Sequence, residues 1–411
     1  MPIVFIGYVV AFIDRTNVGF AALQMNSDLG LSPTQFALGA GLFFLSYVCL
    51  EIPSNMIMAR ISARRWIARI MVTWGLVTIA TAAISGVISF YVMRFMLGVA
   101  EAGFFPGVLL YLTYWFPSEH RAKTTAIFTM ALPISVLLGG PIASGIMALG
   151  TVAGIQPWRW LFVAEGIPAI VLGVFIWFAM PGSPAEASWL NAEEKAALDE
   201  RLRAEAHSDD DRHSHSLGAA LKDRRMLLLA LAHWFWAAGL YSASLWLPQI
   251  IKALGVSNVQ VGLLTIIPSL LAAAAMFGWA SYSDRTRNRA AHVVIANLVG
   301  AAGLFASALL QQPGLAMVAI TVSLIGVYCY SAVFYPLPQT ILRGTGAAGG
   351  IAFISAFSNT AGFAGTYMVG WLNEEFHSFV YALMTLGTCL LISAALIWYI
   401  GHDRTLEEPA A

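Results

Sequence analysis

"IVFIGYVVAFIDRTNVGFAALQ", residues 3–24, decides how the rest of the chain is read. Its length matches the ~20 apolar residues that cross a hydrocarbon core as a helix, yet Asp14 and Arg15 stand side by side at its middle. A charge at the centre of an inserting helix costs about 2.5–3.5 kcal/mol, so the two together cost roughly 5–7 kcal/mol. The eleven Leu, Ile, Val and Phe between Met1 and Leu23 offset this by about 0.3–0.6 kcal/mol each. The segment barely breaks even, so its place in a membrane depends on neighbours that receive its charges.

Such neighbours are abundant. Of the 411 residues 59% are hydrophobic and 11% charged, too little polar material to coat a soluble protein of this size. Twelve apolar runs of membrane-crossing length are found: 3–24, 36–58, 67–88, 90–115, 123–148, 160–180, 226–250, 259–280, 291–311, 315–338, 347–372 and 377–400. Runs this long and continuous are not barrel strands, and open sheet edges cannot face lipid, so the expected fold class is an all-α polytopic membrane protein with twelve transmembrane helices. Cys49, Cys329 and Cys389 all fall within spans and indicate no disulfide framework. The first run lacks a basic leader and a small-residue cleavage site, so it reads as a retained span; a short cytoplasmic leader ahead of it is compatible with this opening.

Charge placement sets the topology and the domain division. Of the 22 Lys and Arg, 18 lie in loops or tails that alternate to one side, among them Arg60, Arg64, Arg65, Arg69, Arg121, Lys123, Arg285, Arg287 and Arg289. Arg159 and Lys252 lie on the other side, which predicts that both termini are cytoplasmic. Residues 1–180 form a first six-helix half, 181–224 a charged cytoplasmic linker, and 225–411 a second six-helix half with a short cytoplasmic tail. Within the linker, Asn191 and Glu194 are spaced as a capping box. The His207, His213 and His215 tract is better explained as solvated linker than as a metal site. Basic loops after the second span of each half, "ARISARRWIAR" (59–69) and "SYSDRTRNR" (281–289), echo one another. Repeated halves are the architecture of alternating-access transporters, whose substrate site lies near the midplane. Gly103-x-x-x-Gly107, Gly346-x-x-x-Gly350 and the "GGP" at 139–141 suit close helix packing.

Adjacent helical residues diverge by about 100°, so Asp14 and Arg15 each look to a different neighbour. Span four, "YVMRFMLGVAEAGFFPG", is the evident source, with Arg94 and Glu101 seven residues apart on one face. Arginine pairs bidentately with a carboxylate and stays charged, whereas a desolvated acid titrates. The functional reading makes Arg15 and Arg94 the holders of an anionic substrate and Asp14 and Glu101 the proton carriers. The cluster is neutral with both acids ionised and carries two positive charges with both protonated, so protons favour anion binding. The alternative is a static ion-pair network that locks helices together. Glu51 and Glu165, nearer span ends, read as structural or gating; His233 reads as a packing or interface residue.

In the second half, acids and bases leave the spans, and aromatics with amides replace them in "LYSASLWLPQ" (240–249), "YCYSAVFYPLPQ" (328–339) and "FISAFSNTAGF" (353–363). Tyr241, Tyr328 and Asn359 are the candidates to line a neutral cavity wall. No phosphate-cradling loop and no metal-spaced cluster appears in the spans, so no cofactor, no metal and no nucleic-acid partner is expected, nor an enzyme.

The chain resembles the major facilitator superfamily and, within it, the anion:cation symporters of organic acids. The carriers of the likeness are "FIDRTNVGFAAL", "LGLSPTQFALGAGLFFLSYVCLEIPSNMIMARISARRWIAR", "RFMLGVAEAGFFPGVLLYLTYWFP", "WRWLFVAEGIP", "AEASWLNAEEK" and "LYSASLWLP". The resemblance implies a monomeric importer of a small organic carboxylate with protons across a bacterial cytoplasmic membrane. It also implies that Arg15 contacts the substrate carboxylate, that Asp14 and Glu101 carry protons with Arg94 as partner or gate, and that Tyr47 is the cavity tyrosine. Sugar-acid members place a glutamine where Leu132 precedes Pro133, and Thr366 replaces the usual proline of an eleventh-span motif. These departures make the pattern more similar to tartrate, phthalate and hydroxyphenylacetate permeases, hence a short or aromatic carboxylate. The competing readings are an exporter of drugs or neutral sugars, an integral-membrane enzyme and a non-transporting sensor.

Overall fold

The computed structural model describes residues 1–117, 124, 125, 127–211, 224–286, 288–310, 312–335, 337, 338 and 345–401. The first half holds α1 (Pro2–Leu29), α2 (Pro33–Arg60), α3 (Ala63–Thr81), α4 (Val87–Glu101), α5 (Phe104–Thr113), α6 (Ala131–Met147) and α7 (Pro157–Ala179). After α8 (Ala192–Asp211) come α9 (Arg224–Ala253), α10 (Asn258–Leu264), α11 (Ile266–Thr286), α12 (Arg289–Leu309), α13 (Pro313–Phe334), α14 (Thr345–Phe376) and α15 (Val380–Gly401). Among the described residues ten segments are long and apolar enough to cross a membrane, and the two remaining expected spans are the helices α3 and α14. Arg64, Arg65 and Arg69 in its first two turns make α3 less apolar than the others. The result is an all-helical fold of two six-helix halves.

Local chemistry punctuates these helices. α1 stops at Gly30, whose φ of 64° is the left-handed conformation that a Cβ disfavours. Two residues later α2 opens on a capping box: Ser32 Oγ accepts the Gln35 amide while the Gln35 side chain accepts the Ser32 amide, with Pro33 in the first turn. The same device returns in the second half, where Gly255 at φ 86° precedes a capping box of Ser257 and Gln260. "GLSPTQ" (30–35) and "GVSNVQ" (255–260) are thus a second echo between the halves, in sequence as in structure.

Two spans are broken by proline. Pro106 has no N–H to offer the Ala102 carbonyl, so α4 ends at Glu101 and Ser54 Oγ donates to that carbonyl at 2.7 Å instead. Gly103 and Gly107 pack closely on α2, as their spacing suggests, since a Cβ on them would lie 2.4 Å from Ser54 Oγ and 3.0 Å from Met58 Sδ, and Gly103 with φ 86° also forms the break. Pro268 likewise withholds a donor from Leu264, where α10 gives way to α11. In the linker, Asn191 Oδ1 accepts the Glu194 amide at 2.8 Å and Glu194 Oε2 accepts the Asn191 amide at 3.0 Å, so the expected capping box opens α8. The His207 side chain, His213, His215, Arg121, Lys123 and Arg287 lie outside the described residues.

One apolar core, centred on Trp74, Phe43, Met71 and Phe104, belongs to the first half. The other runs from Val18–Met25 of α1 and Phe36–Ala40 of α2 into the second half, where it includes Trp246, Ile250 and Phe334. The halves are therefore fused at the end of the bundle that carries the α1–α2 turn. There the backbones touch: a Cβ on Gly19 would lie 2.2 Å from the Leu245 carbonyl, and one on Gly262 2.5 Å from that of Gly140. A polar latch closes the same end. Glu374, two residues beyond the expected eleventh span, accepts the Ser32 hydroxyl at 2.7 Å and the Thr34 amide at 2.8 Å. These hydrogen bonds from Thr34 and Ser32 hold its carboxyl below the usual range. The latch is accordingly complete above the ordinary Glu value of about 4.3 and is lost as pH falls through the lower, latched value. Glu374→Ala should speed maleimide labelling of a cysteine placed at the buried Thr16 in detergent-solubilised protein. Acid should do the same to the parent only below the ordinary Glu range, and unchanged labelling in Glu374→Ala would remove the latch from this account.

Candidate functional site

Four consecutive residues in the middle of α1 fan out to four surroundings. Asp14, 2% exposed, looks to Trp74 and Thr78 of α3. Arg15 reaches α4 and ion-pairs with Glu101, which is 1% exposed. Thr16 returns its hydroxyl to the Phe12 carbonyl at 3.0 Å and lines a cavity between the halves. Asn17 donates to Glu165 of α7. Steps of 100° turn Arg15 and Thr16 away from Asp14 and Asn17, which, three residues apart, share one side of α1 and look to α3 and α7.

Arg15 is also packed over rings, its guanidinium carbon 5.1 Å from the Phe43 centroid and 5.2 Å from that of Tyr47. Arg94 is 2% exposed, and its guanidinium carbon lies 5.0 Å from the same Phe43 ring. Among the described residues Arg94 forms no ion pair; the charges of Asp14 and Glu101 act on it across the cluster. Asp14 Oδ2, Arg15 Nε, Arg94 Nε and Glu101 Oε2 are buried without a hydrogen-bond partner. Buried charged groups with unused donors and acceptors are poised to take a ligand or a proton.

The structure gathers Asp14, Arg15, Tyr47, Arg94 and Glu101 in the first half. Across from them, Tyr241 donates to Asn359 Oδ1 at 2.9 Å, and the Tyr241 ring packs 4.8 Å from that of Phe44 on α2. Asn359 Nδ2 in turn faces Glu51 Oε2 at 3.4 Å, so Glu51 bridges the halves. Tyr328 stands apart from this network, on the cavity wall with Thr16, Phe20, Gly140, Ser244 and Thr265. His233 is a packing residue, stacked 4.3 Å from Phe334 and 4.7 Å from Trp236. The sequence reading passed over Phe43, Asn17, Trp74 and Thr78. Asn17 belongs to the visible polar run "DRTN", whereas nothing marks Phe43 or Trp74 among the other aromatics. Among the described residues no three His, Cys, Asp or Glu side chains gather to hold a metal ion.

α4 brings Arg94 and Glu101 this close because Gly98 lies between them. A Cβ there would stand 2.3 Å from the Phe43 carbonyl and 2.1 Å from Ser46 Oγ. Gly98→Val should force α4 off α2, lower thermal stability in detergent by an amount on the order of 1–3 kcal/mol, and weaken ligand binding with it. Full stability of that variant would show that the contact is not needed.

The residues 4–366 match the Major Facilitator Superfamily model. A candidate tartrate transporter of Agrobacterium vitis is 44% identical over 96% of this chain and 88% of its own length. A quinolone resistance transporter of Acinetobacter baumannii is 39% identical over 97% of this chain and 92% of its own. In three dimensions the chain is similar to a bacterial homologue of the human lysosomal transporter Spinster in an inward-facing, occupied conformation, with a TM-score of 0.80 over 99% of this chain and 98% of that one, at 16% identity. The helix order, the paired halves and the match along most of the sequence have one conclusion: the chain belongs to the Major Facilitator Superfamily of membrane transporters.

Proposed function

We propose that this transporter imports a small organic carboxylate with protons, by alternating access, as a monomer in a bacterial cytoplasmic membrane. The observation that carries the reading is the buried Arg15–Glu101 pair beside an Arg94 with no ion pair of its own among the described residues. Protonation of Glu101 breaks the charge pairing and frees the Arg15 fork. Two guanidiniums then meet one carboxylate, and protonation of Asp14 removes the remaining negative charge from the cluster. Delivery reverses the order: loss of the protons restores the Glu101 carboxylate, which competes with the substrate for Arg15.

Tyr47 is the aromatic side of this site. Tyr241 and Asn359 complete it from the second half with a hydroxyl and an amide, suited to the part of the substrate beyond its carboxylate, and Tyr328 lines the space beyond. Of the expected short or aromatic carboxylates, the relative from Agrobacterium vitis named for tartrate supports a short one as cargo. With both termini cytoplasmic, residues 1–180 and 225–411 are the moving halves and 181–224 the linker. The latched end is then periplasmic, and the described conformation faces inward.

Uptake of labelled tartrate, phthalate and hydroxyphenylacetate into proteoliposomes under an imposed pH gradient tests the reading. Accumulation should follow the gradient for at least one acid, and indifference for every accepted acid would sink symport. Arg15→Ala should weaken binding about 100-fold, the loss of one charged, buried hydrogen-bonding group. Asp14→Asn and Glu101→Gln should lose accumulation while keeping exchange. Wild-type affinity in Arg15→Ala would place the carboxylate elsewhere. The quinolone resistance relative favours a second reading, export of a drug on the same scaffold. Outward, gradient-driven movement of a quinolone without acid uptake would select it.

A further inference from the structure

Glu165 lies within α7, 5% exposed, outside the Arg15 cluster. One of its oxygens, Oε1, accepts the side-chain amide of Asn17. Its other oxygen, Oε2, and the Asn17 Oδ1 are both buried without a partner. A carboxylate and an amide joined by one N–H···O bond are left with two acceptors, and acceptors do not bond to each other. A single proton on Glu165 resolves this, because Oε2–H then donates to Oδ1 and the two planar groups close a ring of two hydrogen bonds.

We infer that Glu165, held by Asn17, is a third proton-holding site, set between Asp14 and the latched end of the bundle. The inference rests on the proton-coupled reading above. Trp158 Nε1 donates to Asp28 Oδ2 at 2.7 Å, so α7 begins beside the end of α1. At 1.5 Å per residue Glu165 is about 12 Å inside that end, Asn17 about 18 Å and Asp14 about 22 Å. Asn17 follows Asp14 by three residues and shares its side of α1.

The groups around Glu165 are few. From α1, Asp14 is close enough for its charge to act on Glu165, while Arg15 turns away to Glu101. α3 carries no titratable group beyond Arg69, and α6 carries none. Glu165, Asp14 and Glu101 therefore all belong to the first half, and none of them lines the cavity between the halves. A proton leaving Glu165 for Asp14 would break one O–H bond and form another, conserving charge and proton number.

Glu165→Gln tests this, because a glutamine amide donates to Asn17 Oδ1 and keeps the ring but has no proton to release. The infrared carbonyl stretch of a protonated carboxyl should be present in wild-type protein and diminished in E165Q. In proteoliposomes loaded for labelled tartrate, or the panel acid accepted in its place, gradient-driven accumulation should fall about tenfold or more while exchange stays within about twofold. An unchanged infrared band, or accumulation at the wild-type level, overturns the site. Wild-type protein indifferent to the gradient overturns the coupling reading instead, and the infrared band then decides by itself whether Glu165 holds a proton.

Discussion

A guanidinium brought into a lipid-embedded bundle is costly without a counter-charge, and Arg15 finds one in Glu101. Much else is arranged around it. Glu101 is the last residue of α4, directly before the break at Ala102 and Gly103. That break exists because Pro106 withholds a donor, and it is held by Ser54 from α2. α2 also brings Phe43 and Tyr47 under Arg15, and Gly98 lets α4 approach α2 closely enough for both arginines to share the Phe43 ring. A helix that barely breaks even in lipid is thus fixed by a contact made on another helix.

The two halves divide the chemistry. The first carries charge, spread over α1, α4 and α7 as Asp14, Arg15, Arg94, Glu101 and Glu165, all little exposed. The second contributes neutral groups, with Tyr241 bonded to Asn359 and Asn359 facing Glu51 across the interface. The Arg15–Glu101 pair and the Asn17–Glu165 bond lie within one half, where the partners move together, whereas Glu51 meets a neutral partner across the interface. Neutral hydrogen-bonding groups tolerate being separated and rejoined, since their exposure costs far less than that of an ion. The interface at the latched end differs, since beside its glycine contacts it uses one carboxylate, Glu374, at the membrane edge.

Much of the fold was legible in the chain because spans are written in hydropathy, which is local. The twelve apolar runs, the charged linker and the Asn191–Glu194 cap are each readable within a few residues of themselves. Candidate charges were legible for the same reason: an ion inside an apolar run stands out against its neighbours. Phe43 and Trp74 did not stand out, being aromatic residues in apolar helices, and their importance lies in what they face. Gly103 was half read: its spacing to Gly107 pointed to the close packing that it makes against Ser54, but not to the break that Pro106 imposes there.

The sequence by itself determined that this is a polytopic helical bundle of two related halves with acids and bases buried in the first, because insertion energies depend on composition along one helix. Only the tertiary structure decided which acid meets which base. Arg15 took Glu101, Arg94 was left without an ion pair among the described residues, and Glu165 went to Asn17. Those choices turn on helix rotation and close approach, set by side chains and glycines on other helices, and no stretch of a single helix encodes them.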